Sequence, residues 1–106
     1  MPTMNMNGRK LYYYEKGDKD SDCTLLFIHG ASSSSAMWTD EVISLNKCRT
    51  IALDLPGHGQ SDLPGRRTIT HYAAIVEDFI RSLALERPIL VGHSMGSTIA
   101  LTVAHR

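Results

Sequence analysis

Residues 88–100, Pro88-Ile89-Leu90-Val91-Gly92-His93-Ser94-Met95-Gly96-Ser97-Thr98-Ile99-Ala100, constrain the fold of this chain more than any other stretch. An apolar run too short for a helix meets Gly-x-Ser-x-Gly, and an apolar run of helical length follows at once. The simplest reading is a strand, a one-residue turn and a helix. In such a turn Ser94 takes a strained backbone conformation that lifts its hydroxyl out of the sheet, while Gly92 and Gly96 leave room for strand and helix to approach. Gly-x-Ser-x-Gly alone occurs by chance in many chains. Here it lies between a β-type run, Ile89-Leu90-Val91, and a helix-type run from Ile99 to His105, which is the context a nucleophile elbow needs.

The rest of the chain reads as a hairpin followed by alternating strands and helices. Thr3–Met6 and Arg9–Glu15 flank Asn7-Gly8, a pair that tolerates positive φ at both central turn positions, so they predict a β-hairpin. Tyr12, Tyr13 and Tyr14 alternate across a strand and cannot all line one site, so they are read as packing on an edge strand. Cys23–Ile28 is a nearly continuous apolar run, the pattern of a strand buried on both faces, and it ends at His29-Gly30-Ala31. The polar run Ser32–Ser35 reads equally well as a connector or as a segment with a specific role. Ala36–Asn46 has Trp38, Val42 and Leu45 at helical spacing. Thr50–Leu53 is a further short strand that enters Asp54-x-Pro56-Gly57-His58-Gly59-x-Ser61, a structured loop by its proline and glycine content. Thr70 is the expected N-cap of a helix running to about Leu85, with Tyr72, Val76, Phe79 and Leu83 on one stripe. This order argues for an α/β protein with a mainly parallel sheet and helices on both faces. Sites in such sheets collect at the carboxyl ends of the strands, which puts His29-Gly30-Ala31, the Asp54 loop and Ser94 on one rim.

Composition narrows the classes. At 106 residues the chain holds one domain at most, and its formal net charge of zero provides no basic field for nucleic acid or an anionic membrane. No run approaches a membrane span, and Met1–Lys10 lacks the pattern of a signal peptide, so a soluble, cytoplasmic protein is expected. Cys23 and Cys48 each open a predicted strand, where a small buried hydrophobe is the default. A disulfide between them is the lesser alternative. No metal cluster, phosphate loop or dinucleotide fingerprint is visible, and no cofactor is expected.

Three motifs stand in one order: His29-Gly30 after a buried strand, Asp54-x-Pro56-Gly57-His58-Gly59-x-Ser61 after the next, and Gly92-His93-Ser94-Met95-Gly96 after a third. Together they resemble the first half of an α/β-hydrolase fold protein of the serine esterase type, from about Arg9 onward. The resemblance implies an antiparallel hairpin, then parallel strands with helices on both faces, ending after the elbow helix. It implies that Ser94 is the nucleophile and that the backbone N–H groups of Met95 and Ala31 form the oxyanion hole, with His29, Gly30, Gly92, His93 and Gly96 shaping the site. Ester-like, thioester or carbon–carbon acyl substrates follow. Serine at this position argues against the family's dehalogenase and epoxide-hydrolase branches, which attack with a carboxylate. Asp54 reads as a turn-forming acceptor.

The chain also departs from the family's order of nucleophile, acid and histidine. No acidic residue follows Glu86, and the only histidines beyond it are His93 and His105. His29 and His58 lie on the correct rim but belong to turn motifs. Residues 1–106 are therefore expected to form a single partial domain without the later strands or a lid. Met95–Arg106 is apolar around most of its circumference, and Ile89–Val91 would be an exposed apolar edge. Two outcomes are open: the chain carries the nucleophile of a hydrolase whose acid and histidine come from elsewhere, including a complementing chain, or it is an inactive binding module that self-associates through the elbow strand.

Overall fold

The computed structural model describes residues 3–6, 8–18, 20–38, 48–62 and 68–105. The hairpin forms as its turn chemistry predicts: β1 (Thr3–Met6) and β2 (Arg9–Lys16) pair antiparallel, with Met6 opposite Arg9 and Gly8 at φ +82°. The two apolar runs become β3 (Thr24–Ile28) and β4 (Arg49–Leu53), and the run before the elbow becomes β5 (Ile89–Gly92). These strands form one five-stranded sheet in the order β1-β2-β4-β3-β5. β2 joins β4 antiparallel, whereas β3 pairs parallel with both β4 and β5. The mixed sheet with parallel central strands agrees with the expected class.

Alternation along the strands divides the core into two layers. Leu11, Tyr13, Leu26, Ile28, Ile51 and Leu53 face one side, where they meet α1 (Ile69–Ser82) and α2 (Met95–Ala104). Tyr72, Val76 and Phe79 supply the buried stripe of α1, and Tyr13 meets Phe79 edge-on at 5.2 Å. Full burial of each large apolar side chain contributes about 1.5–3 kcal/mol. On the opposite side Phe27 and Ala52 pack with Tyr14 and Trp38, the Phe27 and Trp38 rings 4.8 Å apart. Both described helices thus lie on one face. Of the helix expected over Ala36–Asn46, residues 39–46 fall outside the described residues, and Ser35–Met37 form a 3-10 turn.

Several expectations are corrected. Helix α1 begins earlier than the Thr70 cap predicts, because the Thr68 hydroxyl accepts the His71 N–H at 3.2 Å, and it ends at Ser82 because Ala84 turns left-handed at φ +53°. The tyrosine strand is no edge: β2 lies between β1 and β4. The cysteines are not free thiols but a disulfide, Cys23–Cys48, with Cα atoms 4.9 Å apart. The parallel register brings this about. Thr24 lies opposite Arg49, so the preceding residues of two neighbouring strands must face each other. A bond of this kind persists in oxidising compartments, so the cysteines no longer argue for the cytoplasm. Among the described residues no helix is long and apolar enough to cross a membrane.

The exposed edge expected at the elbow strand is present. Ile89 is 54% exposed and Leu101 of α2 is 64% exposed. Between β5 and α2 runs an apolar groove of about 630 Å³, lined by Ile80, Leu90, Ala100, Leu101 and Val103 among others.

A bridge closing 25 residues of sequence separation stabilises by about 3 kcal/mol through the unfolded chain. The double variant Cys23→Ser/Cys48→Ser is expected to lose stability of that order in urea unfolding, and thiol titration of the unreduced, denatured protein should find no free thiol.

Candidate active site

Strand order places three loops on one rim. The chain leaves β3 for β4 on one side and returns to β5 on the other, so β3 marks the point where connections diverge, the position at which sheets of this kind bind ligands beyond the strand ends. His29-Gly30-Ala31 follow β3, Asp54 follows β4, and His93-Ser94 follow β5. The sheet contact of β3 and β5 extends one step beyond the strands, since the His93 N–H donates to the Ile28 carbonyl at 3.1 Å.

Ser94 occupies the elbow in a conformation that serine rarely adopts, φ 57° and ψ −122°. Such a conformation costs about 1–3 kcal/mol and persists only when its surroundings enforce it. The enforcement is close backbone contact. A Cβ on Gly96 would collide with the Ile28 carbonyl, and one on Gly92 would lie 2.6 Å from the Ser97 Cα. Ser94 is also the N-cap of α2, where a serine hydroxyl ordinarily accepts an N–H of the first turn. Here those groups are engaged elsewhere: Gly96 N–H donates to the His93 carbonyl and Ser97 N–H to the Ser94 carbonyl, both at 2.9 Å. The Ser94 hydroxyl therefore makes no capping bond and faces outward at the positive end of the helix. The Ser97 hydroxyl adds a second donor to the Ser94 carbonyl at 2.6 Å.

The opposite wall is the turn after β3. Gly30 stands against the elbow so closely that a Cβ there would lie 3.1 Å from the Ser94 Cβ and 3.6 Å from its Oγ. His29 is fully buried, and both ring nitrogens are engaged. Nε2 accepts the Leu55 N–H at 3.0 Å, which makes Nδ1 the protonated nitrogen that donates to the Gly30 carbonyl at 2.7 Å. The neutral ring is thus the form that fits. Burial pushes the His29 imidazole below its ordinary pKa; the bond to Gly30 opposes this, His58 adds to it, and Asp54 opposes it. Among the described residues neither the Ala31 N–H nor the Met95 N–H has an intramolecular acceptor.

The Asp54 loop ties this rim together. The buried carboxylate accepts the Ser35 N–H at 2.6 Å and the Gln60 N–H at 3.1 Å. Gly59, at φ +53°, lies so close that any Cβ would strike the carboxylate. Ser61 donates to the Asp54 carbonyl at 2.6 Å and accepts the Tyr12 N–H at 2.8 Å, while Asp62 accepts the Lys10 N–H at 2.8 Å. The loop thereby occupies the flank of β2 that β4 leaves open. Asp54 is a turn acceptor, as its motif suggests. The serine run before it proves structural: Ser34 caps the 3-10 turn and Ser35 reaches Asp54. That long-range pairing had no local signal beyond the aspartate's place in a glycine-rich loop.

The histidines do not converge on Ser94 as a base would. His29 is saturated, and His58 holds the Pro56 carbonyl through Nδ1 at 3.0 Å with its ring 5.0 Å from that of His29. His93 is exposed beside Ser94, His71 is exposed in the first turn of α1 next to Tyr72, whose ring meets that of His58 at 6.1 Å, and His105 lies at the far end of α2. No group of side chains among the described residues could hold a metal ion.

Comparison with known proteins agrees with this fold. The profile of the alpha/beta hydrolase fold family matches residues 24–106. The chain is 36% identical to epoxide hydrolase 3 of Xenopus tropicalis over 97% of its own length and 29% of that protein. It is 40% identical to 2-(acetamidomethylene)succinate hydrolase of Mesorhizobium japonicum over 82% of its length and 32% of that protein. Among solved structures, a membrane phospholipase A described as a bacterial virulence factor superposes with a TM-score of 0.91 at 30% identity, covering 99% of this chain and 34% of that one. The chain thus spans about a third of the length of these relatives.

The state of His29 makes stability depend on pH. The unfolded chain takes up this proton near pH ~6.5, while the folded protein resists it until a lower pH. Stability should be complete above that value and decline as the pH falls below it, until the folded-state pKa is passed. Urea midpoints measured across this range should show the slope in the native protein and a shallower one in His29→Gln.

Proposed function

The chain belongs to the alpha/beta hydrolase fold family, and from that membership we propose that it carries the nucleophile of a serine hydrolase acting on an ester-like small molecule. A carboxylester, a thioester or a carbon–carbon acyl compound fits. The observation that carries this reading is Ser94 itself, strained at positive φ, free of any capping bond and seated at the start of α2. The Oγ adds to the substrate carbonyl carbon as its proton passes to a base. The oxyanion then lies between the N–H groups of Met95 and Ala31, each worth about 3 kcal/mol of barrier. Collapse expels the leaving group with a proton, and water hydrolyses the acyl-serine, restoring Ser94.

Chemistry favours acyl substrates over epoxides and alkyl halides, although one relative is named an epoxide hydrolase. A carboxylate that opens an epoxide forms an ester, which water can attack at its carbonyl. A serine would form an ether, which has no such carbonyl and would not turn over.

The base and its acid partner are assigned outside these residues. His29 and His58 are engaged in the turns, and the relatives are about three times as long as this chain. A protein carrying the remainder, or a complementing chain, would complete the site. Residues 1–106 alone are expected to be inactive in ester hydrolysis. In the complete hydrolase, Ser94→Ala should abolish turnover and covalent labelling by a fluorophosphonate; labelling that persists undiminished would overturn the nucleophile assignment.

A second reading is favoured by the half-exposed Ile89 and the apolar groove beside it. In isolation the chain would associate with itself through β5, acting as a binding module without turnover. Light scattering should then show concentration-dependent assembly, reduced in Ile89→Lys. A stable monomer at every concentration counts against this reading.

A further inference from the structure

We propose that Ser97 is a positioning residue of the oxyanion hole, acting through the peptide unit that joins Ser94 to Met95. This inference rests on the serine-hydrolase reading given above. The Ser94 carbonyl and the Met95 N–H belong to one planar amide, so whatever holds the oxygen also aims the N–H. The Ser97 N–H already satisfies that oxygen at 2.9 Å, as the first turn of a helix requires. The Ser97 hydroxyl is a second donor to the same oxygen, and it is closer, at 2.6 Å. Helix formation does not need this second bond.

Two donors on one carbonyl have two consequences. Geometrically, they fix the rotation of the peptide plane, which the strained Ser94 torsions would otherwise leave only to backbone packing. Electronically, they draw charge toward the oxygen and make the N–H of the same amide a stronger donor, the polarisation expected along a hydrogen-bonded chain. The Met95 N–H has no acceptor of its own among the described residues, so the gain falls on whatever oxygen enters the site.

The opposite wall is built in the same way. The Ala31 N–H shares its amide with the Gly30 carbonyl, and that carbonyl also receives two donors, His29 Nδ1 at 2.7 Å and the Ser33 N–H at 3.3 Å. In each wall one short side-chain bond accompanies a longer backbone bond. The likeness of two peptide units from different loops separates this arrangement from an ordinary serine in the first turn of a helix. Such a serine bonds its own helix with no consequence beyond it.

A structural role and a positioning role predict different outcomes for substitution. Alanine is the better helix former, so Ser97→Ala should not lower the melting temperature. In the complete hydrolase acting on a p-nitrophenyl ester, with acylation rate-limiting, Ser97→Ala should lower kcat about threefold to tenfold, the worth of one hydrogen bond, and leave KM within about twofold. Ser97→Thr, which keeps the hydroxyl, should restore most of the rate. In the 106-residue chain itself, the Met95 amide proton should move upfield in Ser97→Ala and stay in place in Ser97→Thr. Unchanged kcat in Ser97→Ala, a loss that threonine fails to restore, or an unmoved Met95 resonance would each overturn the proposal. Ser94→Ala serves as the control for the underlying reading: if it still hydrolyses ester at the native rate, the nucleophile assignment fails, while the Met95 resonance still decides whether Ser97 polarises that amide.

Discussion

The contact between the ends of β3 and β5 is the constraint on which the rest of this structure depends. Strand and helix meet there without intervening side chains, since a Cβ on Gly96 would occupy the space of the Ile28 carbonyl and one on Gly92 would press on the first turn of α2. Dispersion and the ladder bonds of β3 and β5, extended by the His93 N–H, hold Ser94 at a positive φ that it would not keep alone. The strain has a chemical use. It turns an N-cap serine, whose hydroxyl would normally be spent on its own helix, into a hydroxyl facing solvent at the helix's positive end.

The second requirement is that the opposing wall stays where the elbow meets it. Two buried polar groups accomplish this by exchanging bonds between neighbouring loops: His29, after β3, accepts from Leu55 after β4, and Asp54, after β4, accepts from Ser35 in the loop after β3. Each is expensive to bury unless fully bonded, and each is fully bonded. A partly satisfied version would be worse than none, which is why Gly59 must leave the Asp54 carboxylate room to reach its donors. Rigidity at the rim thus comes from polar satisfaction, whereas stability of the sheet comes from the apolar layer beneath α1 and α2.

Much of the architecture was legible because it rests on local chemistry. Asn7-Gly8 announces the two-residue turn, unbroken apolar runs announce β3 and β4, and Tyr72, Val76 and Phe79 announce the buried face of α1. The corrected expectations turn on geometry that the local pattern does not carry. Cys23 and Cys48 read as two buried thiols until the parallel register sets them opposite each other. Thr70 is the cap that the apolar stripe suggests, and only the backbone path shows that the Thr68 hydroxyl meets His71. Nothing near Ser35 says that its N–H will find a carboxylate nineteen residues away.

By itself the sequence determined the elements, their α/β class, the elbow at Ser94 and the rim on which any chemistry would collect, because turn residues, apolar period and glycine placement act over a few neighbouring positions. The tertiary structure decided which strands are neighbours, which cysteines meet, which tautomer His29 holds and which N–H groups are left without acceptors. Those depend on register and burial, and a register is a relation between distant segments that no single stretch contains. Ser97 lies on that boundary: its identity is plain in the sequence, yet only the folded first turn shows its hydroxyl on the carbonyl of the serine that the whole sheet holds in place.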